Sequence, residues 1–284
     1  MARRRTETLL VTKVDTAGAR RGPDQLIVEE PMSIQLDGTL VTTTMRTPGD
    51  DFELAAGFCF TEGLLGGARV TGARYCATGS AVESRFNVVT VETANLAPVP
   101  TPRLRATSSS CGVCGTESVE ALLAWLAPLP AGSLASFALD VLAQAPRRVL
   151  DGQVLFASTG AVHAAAALTT DGEVLVVRED VGRHNAVDKV IGHLLLSDRL
   201  PARDLALYVS GRASFEMVQK AWAGGFAALV SVSAPTALAV HTARTAGLLL
   251  AGFVRDGSLN VYAPERLEAP ERLEGLEGGH EPRR

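Results

Sequence analysis

The second half of the chain alternates short apolar runs with amphipathic helical segments, and this alternation restricts the possible folds more than any other feature. Runs with the period of a strand lie at 162–169, 173–177, 205–209, 226–232, 248–254 and 258–262. Helical periodicity lies between the later runs, at 185–196, 214–223 and 235–246. Strands that alternate with helices are typical of a mostly parallel sheet covered on both faces. We therefore predict an α/β fold for this part.

The first part of the chain has a different pattern, with several strands and one helix. Strands are predicted at 9–14, 25–29, 32–36, 39–46, 73–77 and 85–91. Asp37-Gly38 is a hairpin signal between two of these strands, and a helix is predicted at 50–62, ending at Gly63. We predict a smaller N-terminal α+β domain at 1–103, including a proline-containing linker, a larger domain at 104–264, and a disordered tail at 265–284.

The pattern between these parts is less regular. A helix is predicted to begin near Thr116, and a second helix is predicted over 134–144, ended by Pro146. Residues 147–159 allow two interpretations. Their apolar spacing favours a helix, whereas Asp151-Gly152 favours a turn.

Charge and hydropathy exclude several classes of protein. The formal net charge of the 284 residues is −4, so there is no overall basic field for nucleic acid. No apolar run approaches the roughly 20 residues that a membrane-spanning helix needs. The cluster Arg3–Arg5 is not followed by the apolar segment of a secretory leader, so we expect a cytoplasmic protein whose cysteines are not structural disulfides.

Two of the four cysteines form a Cys-x-x-Cys motif at Cys111 and Cys114. Such a pair can supply half of a tetrahedral zinc site, or it can perform thiol chemistry in which one thiolate carries or attacks sulfur and the other resolves. Zinc needs a second pair of ligands, and Cys59 and Cys76 are too far apart in sequence to form another such motif. The small residues around the motif and the predicted helix after it favour a reactive thiolate over a metal ligand or an incidental pair. Cys59 is predicted to be a core residue, and Cys76 a structural one.

A polar string at 179–189 follows one predicted strand and opens a helix. Arg183 and the free N–H groups at the start of that helix suit a phosphate, and Asp188 lies four residues after His184, where it can orient the imidazole. The alternative is a loop of ion pairs without a ligand. The candidate binding residues here are Arg183, His184 and Asn185.

Similar strings follow the next two predicted strands. Their candidate binding residues are Ser210, Gly211 and Arg212 in one string, and Ser233, Ala234 and Pro235 in the other. Three such loops favour a phosphate-rich or nucleotide-like ligand, because ligands of open α/β sheets bind at strand ends. Ser233 and Thr236 are also consistent with simple helix caps. The glycine patterns of a dinucleotide-binding Rossmann site and of a P-loop are absent.

Taken together, these strings resemble the FdhD/NarQ family of formate dehydrogenase accessory sulfurtransferases. The residues that carry the resemblance are Glu29-Glu30-Pro31, Met45 to Asp51, Gly57-Phe58, Thr61-Glu62-Gly63, Ser109 to Gly115, Thr159-Gly160, Val162 to Ala165, Arg178 to Lys189, Ser210 to Glu216 and Ser233 to Pro235. One departure is Ala161, where the family often has glycine. The resemblance implies a C-terminal α/β sandwich like that of cytidine deaminases. It does not imply their zinc chemistry, because the deaminase His-x-Glu and Pro-Cys-x-x-Cys pattern is missing.

The resemblance also implies a function. A cysteine desulfurase would load persulfide sulfur onto the Cys111–Cys114 motif, and the protein would pass it to the bis-molybdopterin guanine dinucleotide cofactor of formate dehydrogenase. The family's cofactor-binding segment falls here on Phe253, Val254, Arg255, Asp256, Gly257 and Ser258. A homodimer, no structural metal and a guanine-nucleotide-like ligand are expected. The alternative is a non-catalytic chaperone that binds the cofactor and delivers it.

Overall fold

The computed structural model describes residues 4–76, 80–100, 123–130, 137–255 and 257–265. Cys111, Cys114, Asp256 and the helix predicted from Thr116 lie outside these residues. Within the described residues, no helix is long and apolar enough to span a membrane.

The chain begins with a long hairpin. Strand β1 (Thr6–Asp15) pairs antiparallel with β2 (Gly18–Ile27), and the two form a two-stranded sheet. The sequence predicted only parts of these strands, at 9–14 and 25–29. The hairpin is exposed along most of its length, so it lacks the strict apolar alternation that marks a strand in sequence.

A four-stranded sheet follows, in the order β4-β3-β6-β5. Its strands are β3 (Glu30–Leu36), β4 (Thr39–Arg46), β5 (Gly72–Tyr75) and β6 (Val88–Glu92). The hairpin predicted at Asp37-Gly38 is confirmed, and both residues have the positive φ that such a turn requires. The inward side chains of β3, Met32, Ile34 and Leu36, pack in one core with helix α1 (Asp51–Thr61).

The larger sheet has six strands in the order β12-β11-β10-β9-β7-β8. They are β7 (His163–Thr169), β8 (Val174–Asp180), β9 (Leu205–Val209), β10 (Ala228–Ser231), β11 (Leu249–Arg255) and β12 (Ser258–Ala263). Only β9, β10 and β11 are paired in parallel. The prediction of a mostly parallel sheet is therefore wrong. Short turns join β7 to β8 and β11 to β12, and short turns produce antiparallel neighbours.

Helices cover both faces of this sheet. Helices α5 (Arg183–Leu196), α6 (Phe215–Ala223) and α7 (Ala237–Ala246) pack on one face. The short helices α2 (Leu139–Ala143) and α3 (Ala145–Leu150) pack on the other face, and α4 (Val154–Thr159) follows them in the chain. In β7, Ala165 and Ala167 belong to the first core and Ala166 and Leu168 to the second. This alternation is what a strand buried on both sides requires. The α/β class is confirmed in its coarse form.

The region before β7 corrects one prediction. Pro146 does not end the helical segment, because it lies in the first turn of α3, where its missing N–H would have had no helical partner. Residues 147–159 contain both predicted features, since α3 and α4 are separated by a turn at Asp151-Gly152.

The two larger sheets are joined by a close contact between α1 and α5. A Cβ atom on Gly57 would lie 1.9 Å from the carbonyl oxygen of Asp188, and one on Gly192 would lie 1.8 Å from that of Glu53. The two helices therefore meet backbone to backbone. The domain boundaries predicted from sequence stay a prediction.

Candidate functional site

Four strands of the large sheet end at the same edge. Both β8 and β9 run antiparallel to β7, so they point in the same direction, and β10 and β11 run parallel to β9. The polar strings that follow these strands therefore meet at one edge, as the sequence predicted. The first residues of β7 and β12 lie at this edge as well.

Hydrogen bonds tie these strand-end segments together. The Ser231 hydroxyl donates to the carbonyl of Gly211 over 2.7 Å, and the N–H of Phe253 donates to the carbonyl of Ser233 over 3.2 Å. The Ser210 hydroxyl accepts from the N–H of Ala164 over 2.9 Å. Ser233 thus links β10 to β11 through its carbonyl, while Thr236 caps α7 by accepting from Ala239. The edge is a connected unit.

A cavity of about 880 Å³ opens at this edge, between the strand ends and the α2–α4 side of the sheet. It is within the size range of pockets that hold a small organic ligand or nucleotide. Its lining combines apolar side chains with polar and basic ones: Ala143, Gln144, Pro146, Arg147, Leu150, Gln153, Phe156, Gly160, Ala161, Val162, His163, Val181, Tyr208, Ser210, Val232, Val254, Arg255 and Gly257.

Four of the predicted site residues, Ser210, Val254, Arg255 and Gly257, line this cavity. Phe253 has a φ of 52°, which is unusual for a bulky side chain, and it is exposed. Ser258 is exposed and donates to the carbonyl of Arg255 over 2.8 Å. Arg212 is exposed and is not part of the lining.

Arg183 lies behind the cavity wall. A Cβ atom on Gly211 would lie 3.5 Å from Nδ1 of His163 and 3.6 Å from Cδ of Arg183, so the three residues meet. Burial lowers the pKa of His163, and the charge of Arg183 lowers it further, although Asp180 opposes them. The imidazole facing the cavity is therefore neutral at neutral pH.

Two polar atoms near the helix starts have no hydrogen-bond partner among the described residues. They are Nε of Arg183, the first residue of α5, and the hydroxyl of Ser214, the N-cap residue of α6. Both atoms are buried, and the Ser214 side chain makes no capping bond. Buried polar atoms are normally satisfied, so these two are available to a ligand oxygen.

The acidic residues of the 179–189 string are structural. The Glu179 carboxylate accepts from the N–H groups of Leu155 and Phe156, each over 2.8 Å, and so caps α4. Asp180 is paired with Lys189 at 2.8 Å, with both side chains fully buried. The Asp180–Lys189 contact is the kind of ion pair that the alternative interpretation of this loop predicted.

Asn185 and Asp188 have structural contacts too. The Asn185 amide donates to Asp180 and to the carbonyl of Met45, and so holds the loop before α5. The Asp188 carboxylate, expected to orient His184, instead accepts from Lys220 over 2.9 Å and from Thr61 over 2.8 Å. The spacing of four residues would allow Asp188 to contact His184, but Lys220 of α6 donates its hydrogen bond to the Asp188 carboxylate instead. His184 itself is half-buried near the start of α5.

Sequence reasoning missed most of the cavity lining, including the polar side chains of His163, Tyr208 and Gln153. His163 was noted only as part of a motif, and Tyr208 and Gln153 were not singled out at all. Burial raises the pKa of Tyr208 to about 12, and its contact with Gln153 opposes that rise. Tyr208 lies in the apolar strand β9, so its sequence context indicates a core residue. Only the structure shows that it lines the cavity.

The predicted sulfur site at Cys111 and Cys114 lies outside the described residues. The other two cysteines are buried and free. Cys59 is a core residue as predicted, and burial raises the pKa of its thiol far above the usual range. Cys76 lies 2.9 Å from the Ser84 hydroxyl, which agrees with a structural role. No cluster of three potential metal ligands occurs among the residues described.

Fold and site together define a mixed α/β protein with a cavity at the strand ends of its larger sheet. Residues 27–268 match the model of the FdhD/NarQ family. The chain is 47% identical to the sulfur carrier protein FdhD of Nocardia farcinica over 266 residues, covering 93% of this chain and 95% of that protein. It is 48% identical to that of Corynebacterium efficiens over 259 residues, covering 86% and 90%.

A solved structure is also similar. The protein from Desulfotalea psychrophila assigned as a formate dehydrogenase accessory protein superposes with a TM-score of 0.70 at 25% identity, covering 92% of this chain and 98% of that one. The chain belongs to the FdhD/NarQ family.

Proposed function

We propose that this chain is a sulfur carrier serving formate dehydrogenase, with a sulfur site at Cys111 and Cys114 and a cofactor site at the strand-end cavity. The proposed cofactor site is supported by the cavity itself. Four strand ends converge on it, and it combines two arginines, Arg147 and Arg255, with a neutral His163. The names of the relatives support the first half.

The sulfur step uses only the two cysteines and the donor. The Cys111 thiolate attacks the terminal sulfur of the desulfurase persulfide, and the sulfur–sulfur bond in the donor breaks with release of the donor thiolate. Without the cofactor the Cys111 persulfide persists. Once the cofactor is bound, attack of the Cys114 thiolate on the inner sulfur of that persulfide forms a Cys111–Cys114 disulfide and releases hydrosulfide to the cofactor. A dithiol reductant then reduces that disulfide by thiol–disulfide exchange and returns both cysteines to thiols before the next cycle.

The cargo is bis-molybdopterin guanine dinucleotide, and we place a guanine-nucleotide part of it in the cavity. Arg255 and Arg147 suit phosphate oxygens, because arginine–phosphate pairs are charge-assisted and often bidentate. Arg183 and Ser214 offer buried donors at two helix starts. Phe156 lies in the wall, where its ring can contact a base.

Several further expectations accompany this proposal. They are a cysteine desulfurase as sulfur donor, the formate dehydrogenase catalytic subunit as client, a homodimer, a cytoplasmic location and no structural metal. The likeness to cytidine deaminases also stays a prediction. A six-stranded mixed sheet between two helical layers is compatible with it.

The cofactor site is tested by calorimetric titration with GDP. Replacing Arg255 by Ala should weaken binding roughly tenfold to hundredfold, since hydrogen bonds to charged groups contribute about 1.5–3 kcal/mol. Arg183→Ala should have a similar effect. Arg212→Ala should have less, because Arg212 is exposed outside the cavity and, unlike Arg183, has no buried nitrogen without a hydrogen-bond partner at a helix start.

The matched control is Arg203→Ala, an exposed arginine before β9 and therefore at the opposite edge of the sheet. Unchanged GDP affinity in both the Arg255 and Arg183 variants would remove this edge from the site. The chaperone alternative predicts normal GDP binding but no sulfur on the cysteines. A measurement of sulfur loading on the cysteines therefore distinguishes the chaperone from the sulfur carrier.

A further inference from the structure

His163 faces the cavity, yet the proposed function gives it no contact with the ligand. It is the first residue of β7, and β7 begins at the edge where the four strand ends meet. Its side chain lines the cavity of about 880 Å³ and is half-buried. Among the described residues, it is the only histidine in that lining. An imidazole in this position can contact a bound ligand directly.

One arginine lies beside this imidazole. Arg183 is the first residue of α5, and a Cβ atom on Gly211 would lie 3.6 Å from its Cδ and 3.5 Å from Nδ1 of His163. The two side chains therefore meet at Gly211, which has no side chain to separate them. Nε of Arg183 is buried and has no hydrogen-bond partner among the described residues. A ligand oxygen bound here would contact both a guanidinium and an imidazole.

The other charged groups around His163 are also mostly basic. Arg147 of α3 and Arg255 at the end of β11 line the cavity together with it. The acid that faces His163 is Asp180, its partner in the β7–β8 ladder, but this carboxylate already pairs with buried Lys189 at 2.8 Å. It therefore neutralises little of the charge of the arginines. The remaining polar side chains of the lining are uncharged at neutral pH: Gln144, Gln153, Tyr208 and Ser210.

The charges of the protein alone disfavour a charged imidazole at this place. Burial lowers the pKa of His163, the charge of Arg183 lowers it further, and Asp180 opposes both. His163 is therefore neutral at neutral pH, and a neutral imidazole has one ring nitrogen without a proton. A bound phosphate reverses the balance, because an opposite charge nearby favours the charged form of a titratable group.

We propose that His163 is a phosphate-binding residue of the cavity and that it takes up a proton from solvent when a phosphate group binds. The proton adds to the free ring nitrogen, and no other covalent bond forms or breaks. Both ring N–H groups of the imidazolium can then donate, one of them to a phosphate oxygen in a charge-assisted hydrogen bond. This inference rests on the proposed cofactor site and adds a means of regulating it, since protonation and binding strengthen each other.

The direction of the resulting pH dependence follows from linkage. The pKa of His163 is higher in the bound state than in the free state, so protonation favours binding below the bound-state pKa. This contribution is lost as pH rises through that pKa. Uptake of one whole proton would make the association constant fall about tenfold for each pH unit. The cargo should therefore bind more tightly at mildly acidic pH and dissociate more readily at alkaline pH.

Proton uptake is measured by calorimetric titration of the full-length protein with GDP, in two buffers that differ in ionisation enthalpy. At about pH 7.5 the ligand phosphate is largely ionised, since a phosphate monoester has a second pKa of about 6. The wild type should take up about half a proton or more per GDP bound. His163→Asn and His163→Gln keep a neutral hydrogen-bond donor but cannot become charged. They should take up close to none and bind GDP roughly tenfold more weakly.

The matched control is His241→Asn, because His241 is exposed on α7 and does not line the cavity. This variant should keep the wild-type proton uptake and affinity. NMR titration gives a second readout on the wild-type protein. The imidazole signal of His163, identified by its loss in His163→Asn, should be that of a neutral ring at neutral pH. It should become that of a charged ring when GDP or inorganic pyrophosphate is added.

The results separate two kinds of failure. GDP binding by the wild type without proton uptake would overturn the role of His163 and leave the cofactor site in place. Equal uptake in wild type and in the two His163 variants would do the same, because another group would then accept the proton. Absence of GDP binding would instead overturn the cofactor site, and this inference with it.

Discussion

At the residue scale, buried charged side chains stabilise the corner where β4, α1 and α5 meet. Arg46 is fully buried and binds Asp51 through two hydrogen bonds of 2.9 Å each. Lys189 lies between Asp180 and the carbonyl of Thr47, and so connects α5 to the end of β4. Truncating one partner of such a pair destabilises the fold far more than replacing both partners with apolar residues, because a single truncation leaves an unpaired buried charge. These charged residues of the family motifs therefore have structural roles near the proposed site.

Glu53 gives a prediction about pH. Burial tends to raise the pKa of its carboxyl group, but Arg178 at 2.8 Å and then His193 at 3.0 Å outweigh burial and hold the pKa below its ordinary 4.5. A depressed folded-state pKa adds stability above the unfolded value, and this stability is lost as pH falls through the folded value. Glu53→Gln should thus cost roughly 1–2 kcal/mol at neutral pH.

The difference in unfolding free energy between wild type and Glu53→Gln should shrink as pH falls below about 4.5. Urea titrations at neutral pH and at several acid values measure it. Glu83→Gln, a change of an exposed glutamate in the same sheet region, provides the reference. A difference that stays constant down to the acid limit would contradict the role assigned to Glu53.

Gly192 gives a prediction about packing. A Cβ atom there would lie 1.8 Å from the backbone oxygen of Glu53, and backbone cannot move aside as a flexible side chain can. Gly192→Ala should destabilise the protein by about 3 kcal/mol, the upper range for overpacking. Gly22→Ala should change stability by less than about 0.5 kcal/mol, since a Cβ atom at Gly22 meets nothing within 4 Å. Equal melting temperatures of the two variants would refute the close contact of α1 and α5.

At the element scale, the sequence predicts strands and helices well where one face is buried. Strand β4 was predicted with its observed limits, and α5 was predicted with its observed end and a start two residues late. Strand direction was not predictable from alternation alone, because β8 and β9 are joined through a helix yet are separated in the sheet by β7. The exposed hairpin was only partly predicted, because its strands lack the alternation of apolar and polar residues that marks a half-buried strand.

The candidate site was predictable where it consists of strand-end loops. Three polar strings were predicted to meet at one edge of the sheet and they do so, because strands that point in the same direction end at the same edge. The opposite wall was not predictable, since the apolar spacing that favoured a helix at 147–159 does not show that Gln153, at the start of α4, and Phe156, within it, face a cavity. The capping of α4 by a side chain distant in sequence was not predictable either. Glu179 reaches α4 across 23 and 24 positions of sequence.

The contact of Glu179 with α4 is expected to affect ligand binding. Its carboxylate fixes the start of α4, and α4 supplies Phe156 to the cavity wall. Glu179→Gln retains one acceptor oxygen but loses the charge and the second acceptor, so GDP affinity should fall several-fold. The control is Glu173→Gln in the exposed turn between β7 and β8. Identical titration curves for both variants and wild type would show that α4 does not shape the site.

At the scale of the whole molecule, the cysteines divide into two kinds. Cys59 and Cys76 are enclosed in the fold, which leaves Cys111 and Cys114 as the proposed reactive pair. Two thiols supply half of the ligands of a structural zinc site. We predict that elemental analysis of the purified protein will find far less than one zinc per chain. About one zinc per chain, lost when Cys111 or Cys114 is replaced, would contradict this.

The most direct test of the sulfur-carrier proposal is intact-mass analysis after incubation with a cysteine desulfurase and cysteine. The wild-type chain should gain the mass of one sulfur atom, and a thiol reductant should remove it. Cys111→Ala should gain none while keeping the wild-type melting temperature and GDP affinity, and Cys76→Ser should still be loaded. Absence of the gain in wild type, or an undiminished gain in Cys111→Ala, would contradict the account.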